Sequence, residues 1–215
     1  MNSKILQPLG LFLISSIWVA EATFPLGLNT SDQGILLKDG KPYHGIGVNY
    51  FDPFYRLLLN PEDQSYQQGL KDLAQREIPF IRFMACGFWP RDWKLYQENR
   101  EAYFKLLDAV VQTAETHGVG LIPGLFWHQP TLSDLAGEHY NAWGDPQSKT
   151  HALMRTYVKE VVTRYKESPA IWGWELANEM NLQSDLPNAS DHRPWVNTDL
   201  GTIPARDERD EITLE

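Results

Sequence analysis

The groups best placed to do chemistry are an amide and a carboxyl side by side, Asn178 and Glu179, at the end of Ala170-Ile171-Trp172-Gly173-Trp174-Glu175-Leu176-Ala177-Asn178-Glu179. This run follows a Ser168-Pro169 break and is apolar and aromatic, so it reads as a buried strand. A strand that delivers such groups at its C-terminal tip is how a (β/α) barrel presents catalytic side chains. Taken alone, an Asn-Glu pair is more often the incidental polar end of a core strand. Three more strand ends carry polar or aromatic groups: Asn49 and Tyr50, Arg82, and Trp127 with His128.

The elements that must position these groups alternate. Strands are expected over 43–50, 79–84, 120–126 and the opening run, with Pro123 counting against a regular third strand. Helices are expected over 65–76, 100–117 and 148–166, from apolar residues at helical spacing such as Tyr103, Leu106, Leu107, Val110, Val111 and Ala114. Gly118 fits the position just past the second helix. A hairpin around Asp39-Gly40 precedes the first strand. Strand-helix alternation implies a parallel sheet with right-handed crossovers. The fold class is α/β, of the (β/α)8 barrel type. About four β/α units are visible, and a complete barrel takes about 250 residues. After residue 182 a polar loop leads to the first turns of a fourth helix near 206–215, and the chain reads as the N-terminal part of such a barrel.

Composition narrows the class. Residues 1–22 carry Lys4, an apolar run and Ala20-Glu21-Ala22, the pattern of a secretory leader. The remaining 193 of 215 residues, 23–215, are enough for one sizeable domain. The net charge of −9 argues against nucleic acid as a partner, and no stable membrane association is expected once the leader is removed. An acidic, aromatic-rich secreted chain suits a neutral polysaccharide. The single cysteine, Cys86, excludes an intramolecular disulfide and reads as a small buried residue. Two glycosylation acceptor patterns start at Asn29 and Asn188. The six histidines lack metal-ligand spacing, and P-loop, H-E-x-x-H, G-x-S-x-G and complete dinucleotide fingerprints are missing, so no metal or cofactor is expected.

Trp174-Glu175-Leu176-Ala177-Asn178-Glu179 resembles the fourth-strand signature of the clan A glycoside hydrolases, family 5 above all. Arg82 and His128 resemble that family's second-strand Arg and third-strand His; Met180 stands where proline is common. The resemblance implies a retaining glycosidase acting on a β-1,4-linked glycan, mannan somewhat before cellulose. It makes Glu179 the general acid/base and Asn178 a contact to the sugar 2-hydroxyl. Arg82 would hold a nucleophilic Glu contributed by a seventh strand. Glu175 cannot be that nucleophile, because four residues of strand put it about 13 Å from Glu179.

Arg82, His128, Trp127 and Trp89 are the further candidates for contacting substrate. Each has a plainer reading: an ion pair between Arg82 and Glu175, a structural His128, and packing for any one tryptophan. Trp172 and Trp174 are expected in the helix-facing layer, by strand alternation. The rival functions are a non-catalytic carbohydrate-binding protein and an inert truncated product.

Overall fold

The computed structural model of the chain describes residues 27–180. The expected leader, the second glycosylation pattern, the loop after 182 and the fourth helix lie outside these residues. Two sheets are present. A three-stranded antiparallel sheet comprises β1 (Leu28–Thr30), β2 (Leu36–Lys38) and β3 (Lys41–Pro42), with Asp39 and Gly40 at positive φ in the β2–β3 turn. A four-stranded parallel sheet follows in chain order: β4 (Val48–Asn49), β5 (Phe80–Met84), β6 (Gly120–Phe126) and β7 (Glu175–Ala177).

Each crossover contains one long helix and at least one short helical segment, with a further 3-10 turn at Tyr140–Gly144 in the third. The long ones are α2 (Ser65–Gln75), α4 (Arg100–His117) and α6 (Lys149–Tyr165), within a residue or so of the sequence expectation. Asn99 and Ser148 accept backbone N–H groups at the starts of α4 and α6, which satisfies donors the helices cannot use. Gly118 ends α4 in the left-handed conformation, as expected. The short segments were not anticipated: α1 (Pro53–Leu59), a 3-10 turn at Pro90–Trp93 leading into α3 (Lys94–Glu98), and α5 (Pro130–Ala136). Each opens on a proline, whose fixed φ and missing N–H suit a first helical position. No helix among the described residues is long and apolar enough to cross a membrane.

The helices bury one face of the parallel sheet. Ile81, Phe83 and Leu121 are fully buried there with Tyr103, Leu107 and Tyr157. Trp93, Tyr96, Tyr103 and Tyr157 pack edge-to-face at 4.7–5.6 Å. The Tyr103 and Tyr157 hydroxyls lie 2.8 Å apart, and Tyr157 donates to the Ala85 carbonyl, so the buried phenol of Tyr157 has a partner. Burial pushes both phenols well above their ordinary pKa.

Two expectations about strands need correction. β4 is two residues long rather than eight, and Gly47 lies so close to Phe80 that a Cβ would collide with its ring and carbonyl. The fourth strand is interrupted: Leu121 pairs with Ile171, yet Gly124 pairs with Glu175, so one extra residue is inserted opposite β6. The bulge reverses the alternation. Trp172 therefore turns to the inner face, where it packs on Phe80, edge-on to Tyr43 and under the Lys38 ammonium. Trp174 is partly buried and packs against the core. The bulge also accommodates Pro123. Leu121 N–H bonds to Ala170 across the β7 side, so the nitrogen of Pro123, two residues on, faces the stretch where regular pairing lapses.

Candidate active site

The inner face of the sheet is polar where β5, β6 and β7 end. Arg82 on β5 grips Glu175 on β7 bidentately, Nε to Oε2 at 2.6 Å and Nη2 to Oε1 at 2.7 Å. Its Nη2 also donates to Asn178 Oδ1 at 2.7 Å. The guanidinium lies 4.1 Å from the ring centre of Trp127, a cation–π contact. The planar, forked guanidinium suits this arrangement, which a lysine could not reproduce. Gly124 makes room for it: a Cβ there would come to 3.2 Å from Glu175 Oε2 and 3.1 Å from the Trp127 ring. The anionic partner that a guanidinium in an apolar strand requires is thus Glu175.

Asn178 links this pair to Glu179. Its Nδ2 donates to Glu179 Oε2 at 3.3 Å, and its main-chain carbonyl accepts from Gln129 Nε2. Glu179 is exposed and adopts a left-handed φ of +50°. The structure therefore brings Arg82, Trp127, Asn178 and Glu179 together, with Glu175 beneath them.

His128 and Trp89 form an adjoining aromatic nest. Phe88 stacks on the His128 ring at 4.9 Å and Trp89 meets it edge-on at 5.0 Å. The Thr131 hydroxyl donates to the Phe88 carbonyl at 2.6 Å, so it accepts from His128 Nδ1 at 2.8 Å. That fixes the Nδ1–H tautomer. His128 Nε2 is buried, a placement that fits the structural reading of this histidine. Of the strand-1 pair, Asn49 is level with Arg82, whereas Tyr50 turns to the helix side beside Gly69 and Arg56. Trp93 and Trp143 are core residues. Cys86 is buried, accepts the Trp127 N–H, and has its thiol pushed up to about 12 by burial, so it is no nucleophile near neutral pH. Phe51, tilted against Trp127 at 5.6 Å, and Gln129 were not anticipated. Only their position beside strand tips could have singled them out.

No family model matches the chain. It is 34% identical over 114 residues to the probable mannan endo-1,4-β-mannosidase A-1 of Aspergillus terreus, covering 48% of this chain and 28% of that protein. It is 27% identical over 202 residues to the probable mannan endo-1,4-β-mannosidase C of the same organism, covering 78% of this chain and 48% of that protein. Among solved structures, a glycoside hydrolase family 5 mannosidase from Rhizomucor miehei superposes with a TM-score of 0.60 at 19% identity, covering 72% of this chain and 49% of that one. The endo-β-1,4-mannanase of Thermotoga petrophila gives 0.52 at 18% identity, covering 66% and 36%. The chain spans less than half the length of these curated relatives. Its sequence is similar to fungal mannan endo-1,4-β-mannosidases over part of their length, and its fold matches about half of a (β/α)8-type barrel.

Proposed function

We propose that this chain carries the acid/base half of a retaining endo-β-1,4-mannosidase, with Glu179 as the general acid/base. The observation that carries the reading is the Asn178–Glu179 tip of β7, tied by Arg82 to the inner face of a parallel sheet. Glu179 would protonate the departing glycosidic oxygen and then deprotonate the water that resolves the intermediate. Asn178 would contact the sugar 2-hydroxyl, and Trp127 and Trp89 offer ring faces to a pyranose, with His128 set behind Trp89.

A retaining mechanism also needs a carboxylate about 5–5.5 Å from the acid. Glu175 has both oxygens in the Arg82 fork, which suits it to orienting Arg82 rather than to attack. Arg82 Nη1 makes no hydrogen bond among the described residues, leaving donors for a second carboxylate contributed by the other half of a closed barrel. The same reading makes residues 1–22 a secretory leader and places the protein where extracellular mannan is its substrate.

The test is reducing-end release from β-1,4-mannan by the protein from its native source, with its intact mass measured alongside. Glu179→Gln should lower kcat by about 10²–10⁴-fold, the range of general acid catalysis, while mannan binding persists. Hydrolysis unchanged in Glu179→Gln contradicts the assignment. A protein no longer than this chain that binds mannan without cleaving it would instead be a binding protein.

A further inference from the structure

Three non-glycine residues among those described have positive φ: Asp39, Glu77 and Glu179. Asp39 sits in the β2–β3 turn, and Glu77 follows the end of α2, where its N–H bonds back to Ala74. Both are places where tight turns impose that conformation. Glu179 follows the tip of β7, just after a bend at Asn178. A side chain from a neighbouring strand end reaches across to hold the Asn178–Glu179 peptide in this conformation, which L-residues disfavour.

That residue is Gln129. Its side chain crosses from the β6–α5 junction and donates Nε2–H to the Asn178 carbonyl, the oxygen of that very peptide. Gln129 is only 6% exposed, so turning the peptide away would strip its amide of this partner inside the protein. Its own main chain is fixed as well: the Gln129 carbonyl accepts Trp143 Nε1–H at 2.9 Å, and Trp143 is buried edge-on against Phe126. Arg82 holds the Asn178 side chain from the opposite direction. Residue 178 is thus gripped by its side chain from β5 and by its carbonyl from the end of β6.

We propose that Gln129 is a positioning residue for Glu179. It sets the direction in which the carboxyl leaves the strand tip by locking the preceding peptide. Its importance for turnover rests on the reading of Glu179 as the acid; the grip itself does not.

The test uses the full chain with two variants. Gln129→Met keeps length and burial but removes the donor. Gln129→Glu removes it only while the new carboxyl is ionised, and a protonated carboxyl can donate again. Carbonyl ¹³C and amide NMR signals of Asn178 and Glu179 are followed with pH. Expected are shifted signals in Q129M at every pH, and in Q129E shifted signals while the new carboxyl is ionised that return toward wild type as it protonates, above the ordinary Glu pKa because burial disfavours its charged form. In the mannan assay both variants should lose at least tenfold in kcat with KM little changed. Asn178 and Glu179 signals identical to wild type in folded Q129M at every pH, and in Q129E with no pH-dependent departure from wild type, overturn the proposal. Shifted signals in a protein whose hydrolysis survives Glu179→Gln support the grip and overturn the acid assignment instead.

Discussion

The two faces of the parallel sheet are built on different terms. The helix-covered face is closed: Ile81, Phe83, Leu121, Leu107 and Tyr103 are each 0–1% exposed and meet neighbours of complementary shape. The inner face is open and polar. The Arg82 and Glu175 side chains keep 23% and 28% of their exposure, and its outermost carboxyl, on Glu179, is exposed and accepts from Asn178 Nδ2. One face stabilises the domain; the other holds strained and charged groups for which folding alone gives no reason. The proposed chemistry belongs on the second.

The comparison can be broken from either side. Leu107→Ala on the covered face should cost about 2–5 kcal/mol in urea unfolding, the range for a buried leucine that leaves a cavity. The NMR signals of Asn178 and Glu179 should stay in place in the folded variant. If they move, the two faces are coupled and the division fails. Arg82→Met on the inner face should do the reverse. Loss of hydrogen bonds to a half-buried carboxylate and an amide should cost about 1–3 kcal/mol. The Asn178–Glu179 tip should be displaced and mannan-oligosaccharide affinity should fall.

The smallest effect is expected at the rim of the covered face. The Arg164 guanidinium, together with the Tyr165 hydroxyl, holds the Asp108 carboxyl below the ordinary carboxylate range. A depressed folded-state pKa stabilises the fold above the unfolded value of about 3.9 and ceases to do so as pH falls through the lower folded value. Arg164 is nearly half exposed, so screening should keep the contribution under about 1 kcal/mol. Asp108→Asn should therefore lower the urea midpoint slightly at pH 7, and the difference should shrink below about pH 3.9, as the pH falls toward the folded value. A difference that persists unchanged there would assign the effect to shape instead of charge.

The same division separates what could be read in the sequence from what could not. The helices α2, α4 and α6 and the strands β5 and β6 follow apolar periodicity, which is local and so visible in the chain. Gly118 and the Asp39-Gly40 turn are local signals too. The three proline-led segments are too short for periodicity to register, although the prolines marked their starts. The inner face depends on long-range registration. One inserted residue in the fourth strand turned Trp172 inward against simple alternation, and no local pattern announces such a bulge. Arg82 was visible as a charge in need of a partner, and Glu175 was one of its possible partners. That Asn178 shares the same fork required the strands to be side by side. Gln129 acts through an amide 49 positions from its acceptor, a relation that exists only in the folded chain.

The most direct test of the central claim, that the tips of β5, β6 and β7 form the sugar-handling half of a glycosidase site, is a chemical-shift titration with β-1,4-mannohexaose. It asks only for recognition, so it does not depend on a second carboxylate. The expected result is saturable shifts centred on the Trp127 indole, Asn178 and Glu179, and weakened binding in Arg82→Met. No shifts at millimolar oligosaccharide, or shifts confined to the helical surface around Asp108 and Arg164, would contradict it.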